Sequence, residues 1–409
     1  MMIIEVFVTL FLVWFIWFFI NAYMKRKNMP AGPFPYPFVG KLPQIIFADP
    51  IRSFHKLAEK YGDIFTVTFP SGNAVIVSTA SLAREARLAP GRQEDLMGKS
   101  PESIYPIDEI IGGIFAARDY SDAYLFEKKV FVSAMHIFEA GIEQAFAAIF
   151  SRQALISSIY QLFPFLCYLP TQFTWEIKRA KQIRETIFPK EYRAHQESYI
   201  PGTIRDLTDS FISAYEKELA KETREDIGTK DTGIPGLMLN VILGGSANSS
   251  TWLTWFFLYM VLYPNVQSKI HEELDKVVGR DRLPNWKDEK SFPYLQATLC
   301  EVGRTSGMMT LVGTNTIRDT TIAGYHIPKG TLVGLNVSKV HEDKREWSEP
   351  EEFKPERFLD KDAKFVGWNK LHGFMPFGIG RRECPGQDLA RVIVELSFKR
   401  MYRQLFVNV

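Results

Sequence analysis

A cysteine framed by glycines and arginines, in the run Phe377-Gly378-Ile379-Gly380-Arg381-Arg382-Glu383-Cys384-Pro385-Gly386, constrains this chain more than any other stretch. Gly378, Gly380 and Gly386 admit positive φ or the close approach of a flat ligand, and Pro385 biases Cys384 towards extended backbone and opens the next segment of chain. The pattern from Gln387 to Phe406 predicts a helix. A thiolate at a helix start is stabilised by unpaired amides and by the positive end of the dipole, which lowers its pKa and suits it to hold a metal.

The remaining composition narrows the setting. With 409 residues, 46% hydrophobic and 14% aromatic, the chain can bury a large core as one big domain or two. A formal charge of +2 without a long run of one sign gives no case for nucleic acid or an acidic substrate. Cys167, Cys300 and Cys384 lie far apart with no CxxC pair, which argues against a disulfide framework or a zinc site and fits a reducing cytosolic face. Cys167 and Cys300 read as small core residues.

Met2 to Met24 is apolar except for Glu5, Thr9 and Asn21, long enough to cross a bilayer as a helix, and is followed at once by Lys25-Arg26-Lys27. Positive charge after the span places the body on the cytoplasmic side. The competing reading, a cleaved signal peptide, lacks a basic start and a small-residue cleavage site. With the body in the cytosol, the sequons at Asn248 and Asn336 are chance occurrences.

A proline-rich stretch, Met29 to Gly40, reads as a stiff extended linker between anchor and body. Short-range patterns then predict a helix over Ile51–Tyr61, a hairpin of Ile64–Phe69 and Ala74–Ser78, and helices over Glu176–Arg193, Ile204–Thr223, Pro235–Tyr263, Asn265–Val278 and Phe292–Gly307. In Asn265–Val278, Glu272, Glu273 and Lys276 are expected to be exposed. The class is mainly α with small β-sheets (α+β), divided as 1–24 anchor, 25–40 basic and proline-rich hinge, and 41–409 catalytic body.

Three motifs fall in order: Glu301-Val-Gly-Arg304, Pro355-Glu356-Arg357-Phe358, and Phe377-x-x-Gly380-x-Arg382-x-Cys384-x-Gly386. Together they resemble the cytochrome P450 family over nearly the whole chain, nearest its animal microsomal steroid- and xenobiotic-hydroxylase branch. The resemblance implies the P450 fold with an N-terminal transmembrane helix. It implies haem b, with Cys384 as axial thiolate, Arg382 on a propionate, and Phe377, Gly378, Gly380 and Gly386 shaping the loop. It also implies an architectural network of Glu301, Arg304 and Arg357 that locks the loop's scaffold.

Departures from the family pattern bear on chemistry. The helix that would carry Trp-x-x-x-Arg has Tyr124 and Lys128, which keeps a charge but loses the arginine fork; a solvated basic face is the alternative. Pro235–Tyr263 resembles the distal helix, where two glycines at 244 and 245 cost about 1 kcal/mol each against alanine and so imply room for a ligand. There the family's acid and alcohol, which deliver protons in oxygen activation, are replaced by Ala247 and Asn248, with Ser249 or a water on Asn248 as substitutes. Neither Thr314 nor Asn315 supplies the basic residue that touches haem in the family, and His326 and His341 fit turns and strand ends rather than metal ligation. Segments corresponding to the family's D and E helices and its terminal hairpin are expected to be missing.

The function implied is insertion of one atom of dioxygen into a lipophilic substrate such as a steroid or xenobiotic. NADPH would supply electrons through a cytochrome P450 reductase, with cytochrome b5 as a second partner. The setting implied is the endoplasmic reticulum membrane, single-pass, with the body facing the cytosol. Arg381, Lys128 and Lys129 would offer the reductase positive charge. Two other readings stand beside it: a haem-thiolate isomerase or dehydratase of peroxides that uses no O2, and a shortened, non-catalytic paralogue or incomplete gene product.

Overall fold

The structure, a computed structural model, describes residues 2–37, 39–46, 49–69, 72–98, 121–137, 172–221, 230–279, 282 and 286–406. Cys167 lies outside the described residues. Contacts divide the chain into two units, Met1–Pro101 with Leu311–Lys339, and Glu102–Thr310 with Val340–Val409.

The first unit begins with helix α1 (Met2–Met24). Counting only side chains that the structure describes, no helix is long and apolar enough to cross a membrane; the backbone of α1 is nevertheless helical over 23 residues. Short α2 (Leu42–Ile46) precedes α3 (Pro50–Tyr61), which starts where the Asp49 carboxylate accepts the amides of Ile51 and Arg52 and Pro50 needs no partner. Strands β1 (Ile64–Phe69) and β2 (Gly72–Val77) form the expected hairpin, with Phe69 opposite Gly72. Helix α4 (Ala80–Leu88) is capped by Thr79.

The chain returns to this unit with β3 (Leu311–Asn315), β4 (Thr320–Ile322), β5 (Tyr325–Ile327) and β6 (Leu332–Asn336). The main sheet runs β1-β2-β6-β3, with β2 and β6 parallel and the other pairs antiparallel. Phe54 and Ala58 of α3 pack on Phe65, Val67 and Ile76. Asn336, one of the two sequon asparagines, is buried and donates to Ser78. Arg87 brings a guanidinium to Thr314, donating to its hydroxyl at 2.7 Å, so the charge missing from that position in sequence arrives from α4.

The proline-rich stretch is not a free spacer. Ala31 O accepts from Thr66 N at 3.0 Å, Lys41 N donates to Thr68 O at 2.8 Å, and the Thr66 hydroxyl donates to Pro30 O at 2.7 Å. Gly32 is obligatory because a Cβ there would stand 1.9 Å from Thr66 O. Arg26 clamps the same place, donating to Pro33 O at 2.9 Å and Thr66 O at 3.4 Å. Of the three basic residues after α1, this one is therefore spent on packing, and burial lowers its pKa. The stretch read as a stiff linker thus has backbone partners on β1.

The second unit is helical: α5 (Asp122–Ile137), α6 (Gln172–Ser198), α7 (Leu207–Leu219), α8 (Lys230–Leu262), α9 (Pro264–Val278), α10 (Pro293–Thr305) and α12 (Gln387–Phe406), with α11 (Val337–His341) at the change of unit. Helix α8 touches α5, α6, α7, α9, α10 and α12. It begins at Lys230 rather than Pro235; the proline sits one turn in, where only the bond to residue 231 is given up. Glu273 is not a solvated charge: its carboxylate accepts Tyr294 N at 2.7 Å and Leu295 N at 2.9 Å, capping α10, which has no side-chain cap of its own.

Candidate active site

Cys384 sits in a loop closed by its own backbone. Its N–H donates to Phe377 O at 2.8 Å, Gly378 N donates to Met375 O at 3.1 Å, and Glu383 N donates to Gly380 O at 2.9 Å. Gly378 and Gly380 take φ of 71° and 81°, which is why these positions are glycine. Gly386 does not take positive φ; a Cβ there would meet open space, so its part is room rather than conformation. The Gly386 amide points at the sulfur, yet burial outweighs it and the nearby Arg391 and pushes the Cys384 thiol up. The lowered pKa expected from the helix start is thus corrected: desolvation by burial outweighs the helix-start amide.

Around this loop the structure gathers several of the residues singled out in sequence. The Arg382 guanidinium lies 4.2 Å over the buried ring of Tyr124, a cation–π contact. Lys128, one turn on, donates to Arg381 O at 2.6 Å, and burial lowers its pKa. Lys128 is half-buried, whereas Lys129 is exposed.

The loop's scaffold is the expected network. Arg304 donates to both oxygens of Glu301 at 2.8 Å, to His341 O and Pro350 O at 2.8 Å, and to Glu352 O at 3.1 Å. Arg357 Nε stands 3.4 Å from Glu301, which also accepts Lys354 N at 2.8 Å. Both members of the central pair are buried, so each charge depends on the other. His341 joins them: its Nε2 accepts the amide of Met375 at 3.2 Å, and burial followed by the Arg304 charge pushes its pKa down to about 3. It is a neutral hydrogen-bond acceptor for the Cys loop, not a ligand.

Sequence reasoning missed the aromatic wedge between α8 and the loop. Trp252 stacks on Phe377 at 5.5 Å, meets Trp368 edge-on at 5.9 Å and donates to Leu299 O at 3.2 Å. Gly303, inside the Glu-x-x-Arg motif, is what admits it, since a Cβ there would lie 2.6 Å from the Trp252 ring. Arg391 covers Trp368 and Phe377 at 5.0 and 5.3 Å. A tryptophan two turns beyond the glycine pair was the available signal.

On α8, Asn248 is exposed and its amide donates to Gly244 O at 2.9 Å, while Ser249 is buried with its hydroxyl lacking a partner among the described residues. A Cβ at Gly244 or Gly245 would meet open space. Cys300 is fully buried, with its thiol pushed well up by burial, as a core residue should be.

These features fit a metalloporphyrin. Among the described residues no three His, Cys, Asp or Glu side chains gather as a metal site, whereas a porphyrin brings four nitrogens and asks the protein for one soft axial ligand. The open glycines leave space for a flat ring, and the cations near Cys384 suit its carboxylates.

The sequence profile of the cytochrome P450 family matches residues 30–154 and 114–408. The chain belongs to the cytochrome P450 family. With that go haem as cofactor and the family's activity, a monooxygenase that incorporates molecular oxygen. This P450 is 28% identical to cytochrome P450 2J2 of Homo sapiens over 446 aligned positions, 93% of this chain and 87% of that protein. It is 27% identical to the steroid 17-alpha-hydroxylase/17,20 lyase of Ictalurus punctatus over 437 positions, 91% and 84% of the two chains. A zebra fish cytochrome P450 solved with progesterone shares the fold at a TM-score of 0.69 and 23% identity, covering 87% of this chain and 92% of that one.

The human alignment has 446 positions against 409 residues here, so the relative carries stretches without a counterpart in this P450. The profile matches in two pieces that overlap at 114–154.

Proposed function

We propose that this P450 inserts one oxygen atom into a lipophilic, steroid-like or xenobiotic substrate with electrons from NADPH through a membrane-bound reductase. The observation that carries the reading is the Cys384 loop, closed on itself and flanked by Arg382, Tyr124 and Lys128. Haem b, when bound, supplies the dioxygen chemistry. Cys384 would hold its iron; Arg382 and Lys128 would face its propionates; Glu301, Arg304 and Arg357 keep the loop's scaffold in register. On the distal side either the Ser249 hydroxyl or a water held by the exposed Asn248 amide, itself tied to Gly244 O, would stand in for the family's acid and alcohol. The test is the reduced carbon-monoxide difference spectrum. A thiolate-type Soret band in the wild type, lost in Cys384→Ala, supports the reading; the same band in both removes it.

Helix α1 is read as a single-pass anchor in the endoplasmic reticulum membrane, with the body in the cytosol. Support comes from 23 helical residues with one charge, about 35 Å at 1.5 Å per residue, and from Leu10, Phe11, Val13, Ile16, Trp17 and Ile20, each more than half exposed. Lys129 and Arg381, both exposed, are the positive charges offered to an acidic reductase or cytochrome b5. Charge reversal of Lys129 that left reduction rates unchanged would remove this docking reading.

The isomerase reading is favoured by Ala247 and by the Asn248 amide, neither of which is an acid. Turnover separates the two: coupled consumption of oxygen and NADPH supports the monooxygenase, reductase-independent conversion of a hydroperoxide the isomerase. The non-catalytic reading draws on the stretches of the relatives that find no counterpart here, and absence of any Soret band in the expressed chain would favour it.

A further inference from the structure

We propose that the cavity between α1, the proline-rich segment and α3 binds the headgroup of an anionic glycerophospholipid. The cavity measures about 520 Å³ and lies wholly within the first unit. Phe15 and Phe19 of α1, Phe34 and Leu57 form its apolar walls, and Lys41 and Lys60 also line it.

Lys41 decides what the cavity would take. It is only 9% exposed, and its ammonium stands 4.0 Å from the centroid of the Tyr36 ring. Among the described residues no carboxylate lies within ion-pair distance of it: Asp49 is taken by Arg52 and the start of α3, and Glu59 by Lys339. A nearly buried ammonium without a counter-ion is unfavourable, and an aromatic face relieves only part of that. Lys41 lines the cavity, which is therefore where a counter-ion would have to come from.

The placement of Lys41 is fixed rather than adaptable. Its N–H is bonded to Thr68 O, and the preceding Gly40 has φ of 56° and would drive a Cβ to within 2.2 Å of the same oxygen. Gln44 adds a neutral amide at the rim, donating to the Tyr36 hydroxyl at 2.8 Å. A fixed cation beside aromatic walls suits an amphiphile with an anionic head and an apolar tail. The wall formed by α1 names the source: if that helix lies in the bilayer, leaflet phospholipid is the anion at hand. The inference therefore rests on the anchor reading.

The full chain with its haem is reconstituted in phosphatidylcholine vesicles containing phosphatidylserine, checked by flotation, then extracted in mild detergent, and its co-purifying lipid is quantified by mass spectrometry. The wild type should retain phosphatidylserine in preference to phosphatidylcholine. Lys41→Met should lower that retention about tenfold, the worth of one charge-assisted contact, and Lys41→Arg should keep it. Lys25→Met with Lys27→Met, which alters surface charge away from the cavity, should leave retention unchanged. An unaltered haem spectrum shows that each variant is folded. Wild type that does not float overturns the anchor reading and this inference with it. Flotation with equal phosphatidylserine on wild type and Lys41→Met, or retention of phosphatidylcholine alone, overturns the lipid site and leaves the anchor standing.

Discussion

Gly303→Ala sets two effects of opposite sign against each other. Glycine to alanine within a helix stabilises by about 1 kcal/mol on propensity alone. Here the new methyl would lie 2.6 Å from the six-membered ring of Trp252, which is held between Phe377 and Trp368 and bonded to Leu299 O. Overpacking of this kind costs about 1–3 kcal/mol, and a ring that slides away gives up a hydrogen bond worth about 1 kcal/mol more. The net expectation is a loss of about 1–3 kcal/mol, read as a lower urea midpoint with unchanged slope. Because the displaced ring rests on Phe377, haem retention should fall too. Trp252→Phe should cost stability in the wild type but much less in the Gly303→Ala background, a coupling that a double-mutant cycle reads directly. Gly303→Ala as stable as wild type, or no coupling to position 252, would refute the reasoning.

Glu301→Gln, which leaves the buried Arg304 without its counter-charge, should destabilise by about 3–5 kcal/mol and abolish haem incorporation, measured by urea unfolding and the haem-to-protein ratio. Glu273→Gln should cost about 1 kcal/mol through the lost cap on α10, with little change in the haem spectrum. His341 binds a proton far less readily when folded than its ordinary value near 6.5 allows, since burial holds it near 3. The unfolded chain therefore binds more protons between those limits, and stability should drop as pH falls, by about 1.4 kcal/mol per unit from this residue alone. Unfolding of wild type and His341→Gln from pH 7 to 5 should show that slope only in the wild type.

What could be read in the sequence was what depends on local chemistry. The positive φ at Gly378 and Gly380, the hairpin and the helix from Gln387 are all set by neighbours in the chain. The ion pair of Glu301 with Arg304 was legible because i, i+3 spacing places both on one face. Glu273 was misread because exposed charge is the default for such a residue, and its partners come from another element. The Cys384 thiol was misjudged because a helix start argues for a low pKa while the burial that reverses it is a property of packing. Trp252 and Gly303 acquire meaning only as a pair, across 51 positions that no local pattern connects.

The docking of residues 30–41 on strand β1 alters how force travels through the molecule. A flexible tether would absorb a tug on α1 by uncoiling. Here the pull arrives first at Thr66, through its bonds with Arg26, Pro30 and Ala31, and only after these give way at Thr68 through Lys41. Any jostling of the first helix is thereby handed to the edge strand of the sheet without slack, and unzipping that strand becomes the mechanical weak step.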